Sequence, residues 1–311
     1  MSLTMEQLWD EGRASLEQAG IEEASLDAKV LLMEAFHVDM THFLIDRARP
    51  LEESLPSVAV YRNWIEERKK RIPLQQILGS CWFMGLEFTV DSHVLIPRQD
   101  TETLVEMVLK DYSKEDLKVL DMCTGSGCIG LSIWMHMGLE TVTLADISAE
   151  ALEVARMNGE RLLSRREGKW KQEGNLEEQE GLRLTACSGK SQIRLVKTDL
   201  FSRISSEDCY DVIVSNPPYI PSKVIEGLEP EVRVYEPRLA LDGMEDGLHF
   251  YKILARECKE HLIPGGTLYL EIGHDQGNAV KRLLENTGWS HVMVVKDAPG
   301  NDRVVKAVYQ P

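Results

Sequence analysis

The stretch that decides the fold runs Val119-Leu120-Asp121-Met122-Cys123-Thr124-Gly125-Ser126-Gly127-Cys128-Ile129-Gly130. A short apolar run ending in an acid is followed by a glycine-rich turn and a second apolar run, which predicts a strand, a tight turn and a buried helix. The glycines follow the spacing G-x-G-x-x-G, which lets a backbone pass close to a ligand at a helix N-terminus. A tight turn that binds nothing is built in the same way, so the motif alone does not establish a ligand.

Further apolar runs alternate with helical patterns along the rest of the chain. The predicted strands are 119–121, 142–146, 193–197, 212–215 and 267–272. Alternating strands and helices predict an α/β fold, a doubly wound and mostly parallel sheet with helices on both faces. The last two apolar runs, 292–296 and 304–308, flank a turn and predict a terminal hairpin.

The first part of the chain has a different character, and residues 1–72 predict a separate helical domain. Val58, Tyr61, Trp64 and Ile65 are spaced as one face of an amphipathic helix. The charged run at 66–71 that follows them is interpreted as a solvated helix face.

Three further segments complete the predicted organisation. Residues 73–97 contain two short apolar runs around a glycine and predict a β-hairpin linker. Residues 98–311 follow as the α/β domain. Within it, residues 159–191 are rich in Arg, Glu, Lys, Gly and Gln. We interpret this segment as a solvated insertion between the second and third strands.

The overall charge limits the class of partner. The chain of 311 residues carries 35 Lys and Arg against 51 Asp and Glu, a net charge of -16. An acidic surface repels phosphate, so we expect no large, sequence-independent interface with nucleic acid.

Cysteine usage and hydropathy indicate the compartment. The six cysteines are scattered without a C-x-x-C pair and predict reduced thiols in a cytoplasmic protein. The first residues are acidic and amphipathic, unlike a signal peptide. The uncharged stretch 122–139 contains glycines and is interpreted as part of a buried strand-turn-helix rather than a membrane span. The eight histidines lack H-E-x-x-H spacing, so no metal site is predicted.

Two features of the glycine turn favour S-adenosylmethionine (SAM) over a nicotinamide dinucleotide. Asp121 ends the strand, and a carboxylate there suits the ammonium of a methionine tail. No Arg or Lys occurs at 122–139, and SAM has no phosphate to neutralise. Asp146 ends the next strand, where an acid accepts ribose hydroxyls in either cofactor class or caps the following helix. Asp199 and Leu200 follow the third strand and border an adenine or form an ordinary turn.

A second motif, Asn216-Pro217-Pro218-Tyr219, follows an apolar strand, and ligands of open α/β sheets bind at such carboxyl ends. The consecutive prolines fix the backbone. The Asn216 side-chain oxygen and the Pro217 carbonyl are two acceptors for the N–H bonds of a conjugated NH₂ group, a weak nucleophile that needs positioning. Tyr219 offers an aromatic wall to a flat substrate. The predicted catalytic residues are therefore Asn216, Pro217 and Tyr219. The alternative without a catalytic role is a rigid turn with Asn216 as a cap.

Together the two motifs resemble those of class I SAM-dependent methyltransferases that act on nitrogen. The wider sequence resembles the PrmC/HemK-type protein-(glutamine-N5) methyltransferases of peptide chain release factors, over nearly the whole chain. The matching stretches are 73–79 (PLQQILG), 95–98 (LIPR), 101–106 (TETLVE), 146–148 (DIS), 236–237 (EP), 241–243 (LDG), 246–248 (DGL) and 270–273 (LEIG). The combination is specific, although no single stretch is.

This resemblance implies a seven-stranded sheet with a reversed last strand, SAM as the cofactor and a helical N-terminal domain that binds the substrate. The implied substrate is the glutamine in the Gly-Gly-Gln motif of a release factor. The implied SAM contacts are Cys123, Thr124, Gly125, Ser126, Gly127, Asp146, Asp199, Leu200 and Asn216. The implied substrate contacts are Asn216, Pro217, Pro218 and Tyr219, with Arg98 and Thr101 lining the site unless they serve only capping and loop packing.

Two departures from the family pattern and several alternatives stand beside this interpretation. Cys123 occupies a position where the family usually has Gly, and the insertion at 159–191 is long. A related class methylates a glutamine of a large-subunit ribosomal protein, although 101–106 favours the release-factor type. An adenine-N6 DNA methyltransferase shares the four-residue loop but needs a basic cleft and a target-recognition domain, for which this chain is too acidic and too short. A dehydrogenase or a binding module fits less well. We expect a monomer whose partner is a release factor.

Overall fold

The computed structural model describes residues 3–113, 116–176, 181–186 and 190–311. Cys187, one of the predicted thiols, lies outside these ranges. Among the described residues, Cys81, Cys123, Cys128, Cys209 and Cys258 carry free thiols. None of the helices in the described ranges combines the length and the apolar composition needed to cross a bilayer.

Helices and strands are numbered in chain order. The helices are α1 (Met5–Gln18), α2 (Ala24–Phe36), α3 (Met40–Asp46), α4 (Pro56–Lys69), α5 (Leu74–Leu78), α6 (Glu102–Asp111), α7 (Cys128–Met137), α8 (Ala149–Glu167), α9 (Ser222–Ile225), α10 (Pro230–Tyr235), α11 (Arg238–Leu241), α12 (His249–Glu257) and α13 (Gly277–Asn286). The strands are β1 (Ser80–Phe83), β2 (Leu86–Thr89), β3 (Val119–Met122), β4 (Thr141–Asp146), β5 (Trp170–Glu173), β6 (Leu182–Ala186), β7 (Gln192–Lys197), β8 (Tyr210–Ser215), β9 (Leu262–Glu271), β10 (Ser290–Lys296) and β11 (Asp302–Val308).

The chain forms two compact units. The first comprises Met1–Ser80 together with Glu229–Tyr235, and the second comprises Cys81–Leu228 together with Glu236–Pro311. Because α5 and the segment that carries α10 belong to the first unit, its composition differs from the contiguous 1–72 predicted from the pattern. A short segment that is distant in sequence can join a unit only through contacts, which no local periodicity reports.

Apolar faces of α1, α2 and α4 form the core of the first unit. Val58, Tyr61 and Ile65 of α4 are buried there and Trp64 packs partly buried against them, as their spacing predicts. The Tyr61 hydroxyl donates to the carbonyl of Leu8 at 3.1 Å, so its polar end is satisfied inside the core. Leu74 and other apolar residues of α5 pack on the same cluster, which places this helix with the helical domain rather than with a linker.

The interpretation of the charged run 66–71 as a wholly solvated face is wrong for Arg68. Its guanidinium is buried, and Nε lies 2.7 Å from Asp27 Oδ2 while Nη1 lies 2.8 Å from Glu231 Oε1. A buried cation is tolerated when it is paired and hydrogen-bonded in this way. The partners lie far away in sequence, so the run itself carries no signal of this role.

The second unit is built on one large sheet. In its described residues nine strands follow the order β10-β11-β9-β8-β3-β4-β7-β6-β5. The five central strands β9, β8, β3, β4 and β7 run parallel, and the flanking strands are antiparallel to their neighbours. The doubly wound α/β class and the terminal hairpin β10–β11 are confirmed. The expected number of seven strands is wrong, because β5 and β6 extend one edge.

Those two extra strands come from the predicted insertion. Residues 159–167 continue α8 instead, and Leu162 and Leu163 of this helix are fully buried. Strand β6 then pairs with β7, and its Leu184 is buried against the sheet core. In the described part of 159–191, a helix end and a paired hairpin therefore replace the predicted solvated loop. Residues 177–180 and 187–189 of the insertion lie outside the described ranges.

Side chains of successive strand residues enter two separate cores, one on each face of the sheet. Val119 packs with α6, α7 and α8, whereas Leu120 packs with α12 and α13. The chain order reverses at β3, which lies between β4 and β8. Open α/β sheets bind ligands outside the carboxyl ends of strands at such a switch point. This reversal gathers the predicted motifs at one edge of the sheet.

The predicted hairpin is also present, as the two-stranded sheet β1–β2. Met84 and Gly85 connect the strands with φ values of 50 and 70, the positive angles that a two-residue hairpin turn requires. Phe83 and Phe88 point into the core shared with α6 and α7. From Cys81 onward the hairpin is therefore a packed part of the second unit.

Candidate functional site

A cavity of about 350 Å³ opens at the carboxyl ends of the central strands. The predicted site residues that line it are Arg98, Thr101, Cys123, Thr124, Gly125, Ser126, Asp146, Asp199, Leu200, Asn216 and Pro218. Asp121, Gly127, Pro217 and Tyr219 are not among the lining residues. Eleven of the residues predicted from the sequence therefore line one cavity, and four do not.

The Asp121 carboxylate secures the glycine turn from inside. It is fully buried, and its Oδ2 accepts the Thr124 hydroxyl at 2.6 Å and the Gly130 N–H at 2.9 Å. Burial raises the pKa of Asp121 to about 7, and these two hydrogen bonds oppose the rise. The predicted contact between this carboxylate and a ligand ammonium stays a prediction, because in the structure the side chain holds the backbone that faces the cavity.

At the end of β4, the Asp146 carboxylate borders the cavity directly. Oδ2 accepts the Gly125 N–H at 2.9 Å and Oδ1 accepts the Ser148 N–H at 2.9 Å. Burial raises the pKa of Asp146, and these backbone donors favour the charged form. The cap of α8 is the Ser148 hydroxyl, which accepts the Ala151 N–H at 3.0 Å. Asp146 is therefore not the cap, and each of its oxygens keeps capacity for another donor.

Asn216 lines the cavity directly after the end of β8. The neighbouring Ser215 hydroxyl donates to the Met122 carbonyl at 2.6 Å, which ties the end of β8 to the end of β3. Pro217 and Pro218 are buried, whereas Asn216 is half-buried and lines the cavity. Among the described residues, no hydrogen bond to the Asn216 side chain is formed, so its amide oxygen keeps its accepting capacity.

Behind this loop lies a buried carboxyl group that sequence reasoning did not select as a site residue. Glu271 ends β9 and is 1% exposed. Burial raises its pKa to about 7, while the nearby Thr101 hydroxyl, Arg303 guanidinium and Tyr219 hydroxyl oppose the rise. Burial also raises the pKa of Tyr219 above its ordinary range. Tyr219 packs partly against the core beneath the sheet, and its predicted role as a wall for the substrate stays a prediction.

Comparison with known proteins agrees with this arrangement. Residues 7–79 match a domain described as PrmC N-terminal domain, and residues 98–181 match one described as methyltransferase small domain. A release factor glutamine methyltransferase of Caulobacter vibrioides is 36% identical over 312 residues, which covers 100% of this chain and 98% of that protein. One from Clostridium acetobutylicum is 38% identical over 284 residues, covering 91% and 90%. The chain belongs to the release factor glutamine methyltransferase family.

Membership of this family confirms the resemblance drawn from the two motifs and the wider sequence. A solved methyltransferase from Pyrococcus furiosus also shares the fold, with a TM-score of 0.50 and 21% identity over 79% of this chain and 100% of that chain. The class I methyltransferase fold and the enzyme class are thus established. The roles of individual residues rest on the geometry of this chain.

The clearest departure from the expected family pattern lies in the glycine turn. Cys123 has φ 62, in the left-handed region where a Cβ atom is strained. Its side chain packs against the apolar cluster on one face of the sheet, which compensates part of that strain. The usual glycine would adopt the same backbone without strain but would bury no side chain.

We expect Cys123→Gly to be more stable than Cys123→Ala by about 1 kcal/mol, since both variants lack the thiol but only glycine tolerates this φ freely. Urea unfolding of the two variants without ligand measures the difference directly. Equal stabilities, or a more stable alanine variant, would show that the turn stores no strain at Cys123.

The raised pKa of Glu271 makes the stability of this protein depend on pH. Its folded pKa of about 7 lies above the ordinary value of 4.5, so the folded state binds this proton more tightly than the unfolded state. Its contribution to stability is therefore fully present below about pH 4.5 and is lost as the pH rises toward 7.

Accordingly, we expect Glu271→Gln to gain stability relative to the wild type as the pH rises from 5 to 8, by on the order of 2 kcal/mol. The amide keeps the shape of the side chain but never ionises. Urea unfolding at several pH values tests this, with the exposed Glu285→Gln as the control expected to show no such trend. A difference that does not vary with pH contradicts the assignment.

Arg98 lines the cavity, and its positive charge is paired with a carboxylate. Its Nη2 lies 2.6 Å from Oε1 and 2.8 Å from Oε2 of Glu236, which is buried. Burial raises the pKa of Glu236, and the Arg98 guanidinium opposes the rise. Thr101 is buried at the start of α6 and its hydroxyl makes no cap bond to that helix. Capping therefore does not explain Thr101, and an ion pair fixes the position of Arg98.

A residue that sequence reasoning missed supports the glycine turn from outside. Asn158 of α8 is fully buried, and its Nδ2 donates to the carbonyls of Ser126 at 2.9 Å and Thr89 at 3.1 Å. Its Oδ1 accepts the Thr89 N–H at 2.7 Å. An isolated Asn within a polar helix stretch gives no sequence signal of such a role, because a solvated Asn has the same pattern.

Proposed function

We propose that this protein transfers a methyl group from SAM to the side-chain amide nitrogen of the glutamine in the Gly-Gly-Gln motif of a peptide chain release factor. The proposal agrees with the printed names of its relatives, which are release factor glutamine methyltransferases. We propose that the helical first unit helps to bind this protein substrate.

One observation carries the proposal. Asn216, with its amide unengaged, lines the same cavity as the turn residue Gly125 and the carboxylate of Asp146. A methyl donor held at the turn and an amide held at Asn216 would therefore meet in one enclosed space. Proximity of this kind is a main source of rate in a transfer between two bound molecules.

The chemistry at Asn216 is one of orientation. The lone pair of an amide nitrogen is delocalised, so the NH₂ group must be held for attack on a sulfonium methyl. The Asn216 side-chain oxygen and the Pro217 carbonyl are the proposed acceptors for its two N–H bonds. They favour the positive charge that develops on nitrogen, and the buried prolines hold both acceptors in place beforehand.

The residues around the cavity fit SAM as the cofactor, which would supply the electrophilic methyl group. A Cβ atom added to Gly125 would meet no atom within 4 Å, so the backbone there is open to a ligand. The Ser126 hydroxyl is buried without a hydrogen-bond partner, and Asp146 retains accepting capacity for ribose hydroxyls. Among the described lining residues, Arg98 is the single Lys or Arg, and Glu236 already pairs with it. The described lining of this cavity therefore provides little positive charge to bind a pyrophosphate.

SAM or its demethylated product is expected to raise the melting temperature of the protein, whereas NAD is not. A ligand that binds only the native state stabilises it by about 2.7 kcal/mol at a hundredfold excess over its dissociation constant. Thermal unfolding monitored by circular dichroism with each ligand tests the cofactor. Stabilisation by NAD alone would reverse the assignment.

Mass spectrometry of a recombinant release factor after incubation with enzyme and SAM tests the function. The expected product carries one added methyl group on the Gly-Gly-Gln glutamine. A substrate with that glutamine replaced by alanine is the matched control and should stay unmodified. Methylation of a large-subunit ribosomal protein instead would move the assignment to the related enzyme class.

A further inference from the structure

Gln276 is a buried amide at the start of α13 that lies outside the cavity lining. Its Nε2 donates to the Tyr219 carbonyl at 3.0 Å and to the Gly247 carbonyl at 3.2 Å. Its Oε1 accepts the Gly273 N–H at 2.9 Å and the Tyr251 hydroxyl at 3.4 Å. Both donors and both accepting positions of this side chain are therefore engaged.

The two carbonyls that Gln276 joins belong to two segments whose neighbouring residues line the cavity. Tyr219 ends the Asn216–Tyr219 motif, and Gly247 leads into the lining residues His249 and Phe250. The two segments approach closely, since a Cβ atom on Gly247, which has φ 69, would lie 2.3 Å from the Tyr219 oxygen. Gln276 thus bridges the motif and the segment at Gly247, at a point where an added Cβ on Gly247 would meet both Tyr219 and Gln276.

Backbone hydrogen bonds continue the contact between these segments. Ile220 N–H donates to the Leu241 carbonyl at 3.0 Å, and Gly243 N–H donates to the Ile220 carbonyl at 2.9 Å. Gly243 itself approaches the Tyr219 backbone so closely that an added Cβ would lie 2.7 Å from its Cα. The residues after the motif and residues 241–247 therefore form one backbone layer, which Gln276 fastens at one end.

The side chain of Gln276 does not serve the helix that it precedes. It occupies the N-cap position of α13 but makes no side-chain cap bond. Ser, Thr, Asp and Asn are the residues that stabilise this position. An amide that forgoes the cap and donates both of its N–H bonds to two site segments is placed for those segments.

We infer that Gln276 is a positioning residue for methyl transfer. By holding the Tyr219 carbonyl, it sets the backbone of the motif and with it the direction in which Asn216 and the Pro217 carbonyl present their acceptors. This inference rests on the proposed function for its rate readout. Its structural part, the tie between 219–222 and 241–247, stands on the hydrogen bonds alone.

Gln276→Glu tests the inference with a side chain of the same shape. The carboxylate loses both donors and faces two carbonyl oxygens. The single-turnover rate of methyl transfer at pH 8 is expected to fall by about tenfold or more, because small misplacements of reacting groups are costly. SAM affinity, measured by calorimetry, should stay within about twofold, since the hydrogen bonds described for Gln276 go to Tyr219, Gly247, Gly273 and Tyr251 and not to the glycine turn. The deficit should shrink toward pH 6, because a buried carboxyl is protonated more readily and regains one donor.

Asn158→Asp is the matched control, because it also replaces a buried amide, but one that holds the glycine turn. Because Asn158 holds the Ser126 carbonyl, this variant is expected to weaken SAM binding, unlike Gln276→Glu. The opposite result, in which Gln276→Glu loses SAM affinity, would overturn the inference. So would a wild-type rate in Gln276→Glu at pH 8.

Backbone hydrogen exchange measured without substrate separates this inference from the proposed function. In Gln276→Glu, amides in 220–222 and 241–247 should exchange faster, whereas those in β11 should not. Unchanged exchange would overturn the tie. If the wild type fails to methylate any release factor, the proposed function fails, and the exchange result alone decides whether Gln276 holds the two segments together.

Discussion

Replacing Asn216 by alanine is expected to lower the single-turnover rate of methyl transfer by about 10²–10³ while SAM affinity stays largely intact. The reason is that the Asn216 oxygen should act on the nucleophile, which is absent from the binary complex with SAM. The magnitude corresponds to loss of one preorganised hydrogen-bond partner, about 2.7–4 kcal/mol. Rapid quenching with a Gly-Gly-Gln substrate measures the rate, and calorimetry measures the affinity.

Asn216→Asp sharpens this test, since it keeps an acceptor of similar shape but adds a charge and removes the amide donor. Activity that falls but persists would show that the acceptor orients the substrate. The exposed Asn286→Ala at the end of α13 is the control and should keep the wild-type rate. If both Asn216 variants also keep that rate, the target nitrogen must be bound elsewhere.

Asp146→Asn is expected to weaken SAM binding by roughly a hundredfold. The affected contacts are two hydrogen bonds from ribose hydroxyls to a charged acceptor, each worth about 1.5–3 kcal/mol. The amide also loses one of the oxygens that now accept the Gly125 and Ser148 N–H groups. Calorimetric titration with SAM gives the affinity, and the melting temperature of the free variant shows whether the turn is intact.

Glu150→Gln supplies the comparison, because Glu150 is a nearby exposed acid of α8 that does not line the cavity. Its affinity for SAM should match the wild type. An unchanged affinity in Asp146→Asn would mean that Asp146 only shapes the turn, and the ribose contact would have to be sought elsewhere on the cavity wall.

Much of the site could be predicted because its signals are local. The run 119–130 folds as β3, a turn and the start of α7, and the Asn216–Tyr219 motif follows β8 as the pattern indicates. Asp146 ends β4 in the same manner. Each of these assignments depends on residues within a few positions of one another, where glycine turns and apolar runs report the backbone directly.

Errors in prediction arose where partners are distant in sequence. The segment 159–191 is polar enough to suggest a loop, yet β6 pairs with β7 and extends the sheet. Arg68 sits in a charged run, yet it is buried between Asp27 and Glu231. A polar side chain looks the same in sequence whether water or a partner satisfies it, so the pattern favours the solvated reading in both cases.

By itself the sequence determined the α/β class and the two motifs at strand ends, because periodicity and turn chemistry act over short distances, whereas the strand order that gathers those ends came from the tertiary structure. The tertiary structure alone decided which residues hold these motifs in place. Asn158 reaches Thr89 and Gln276 reaches Tyr219, pairs separated by 69 and 57 residues. Such buried amides acquire their roles from the groups that folding brings to them, since a hydrogen bond requires a partner at about 3 Å and no local pattern specifies that partner.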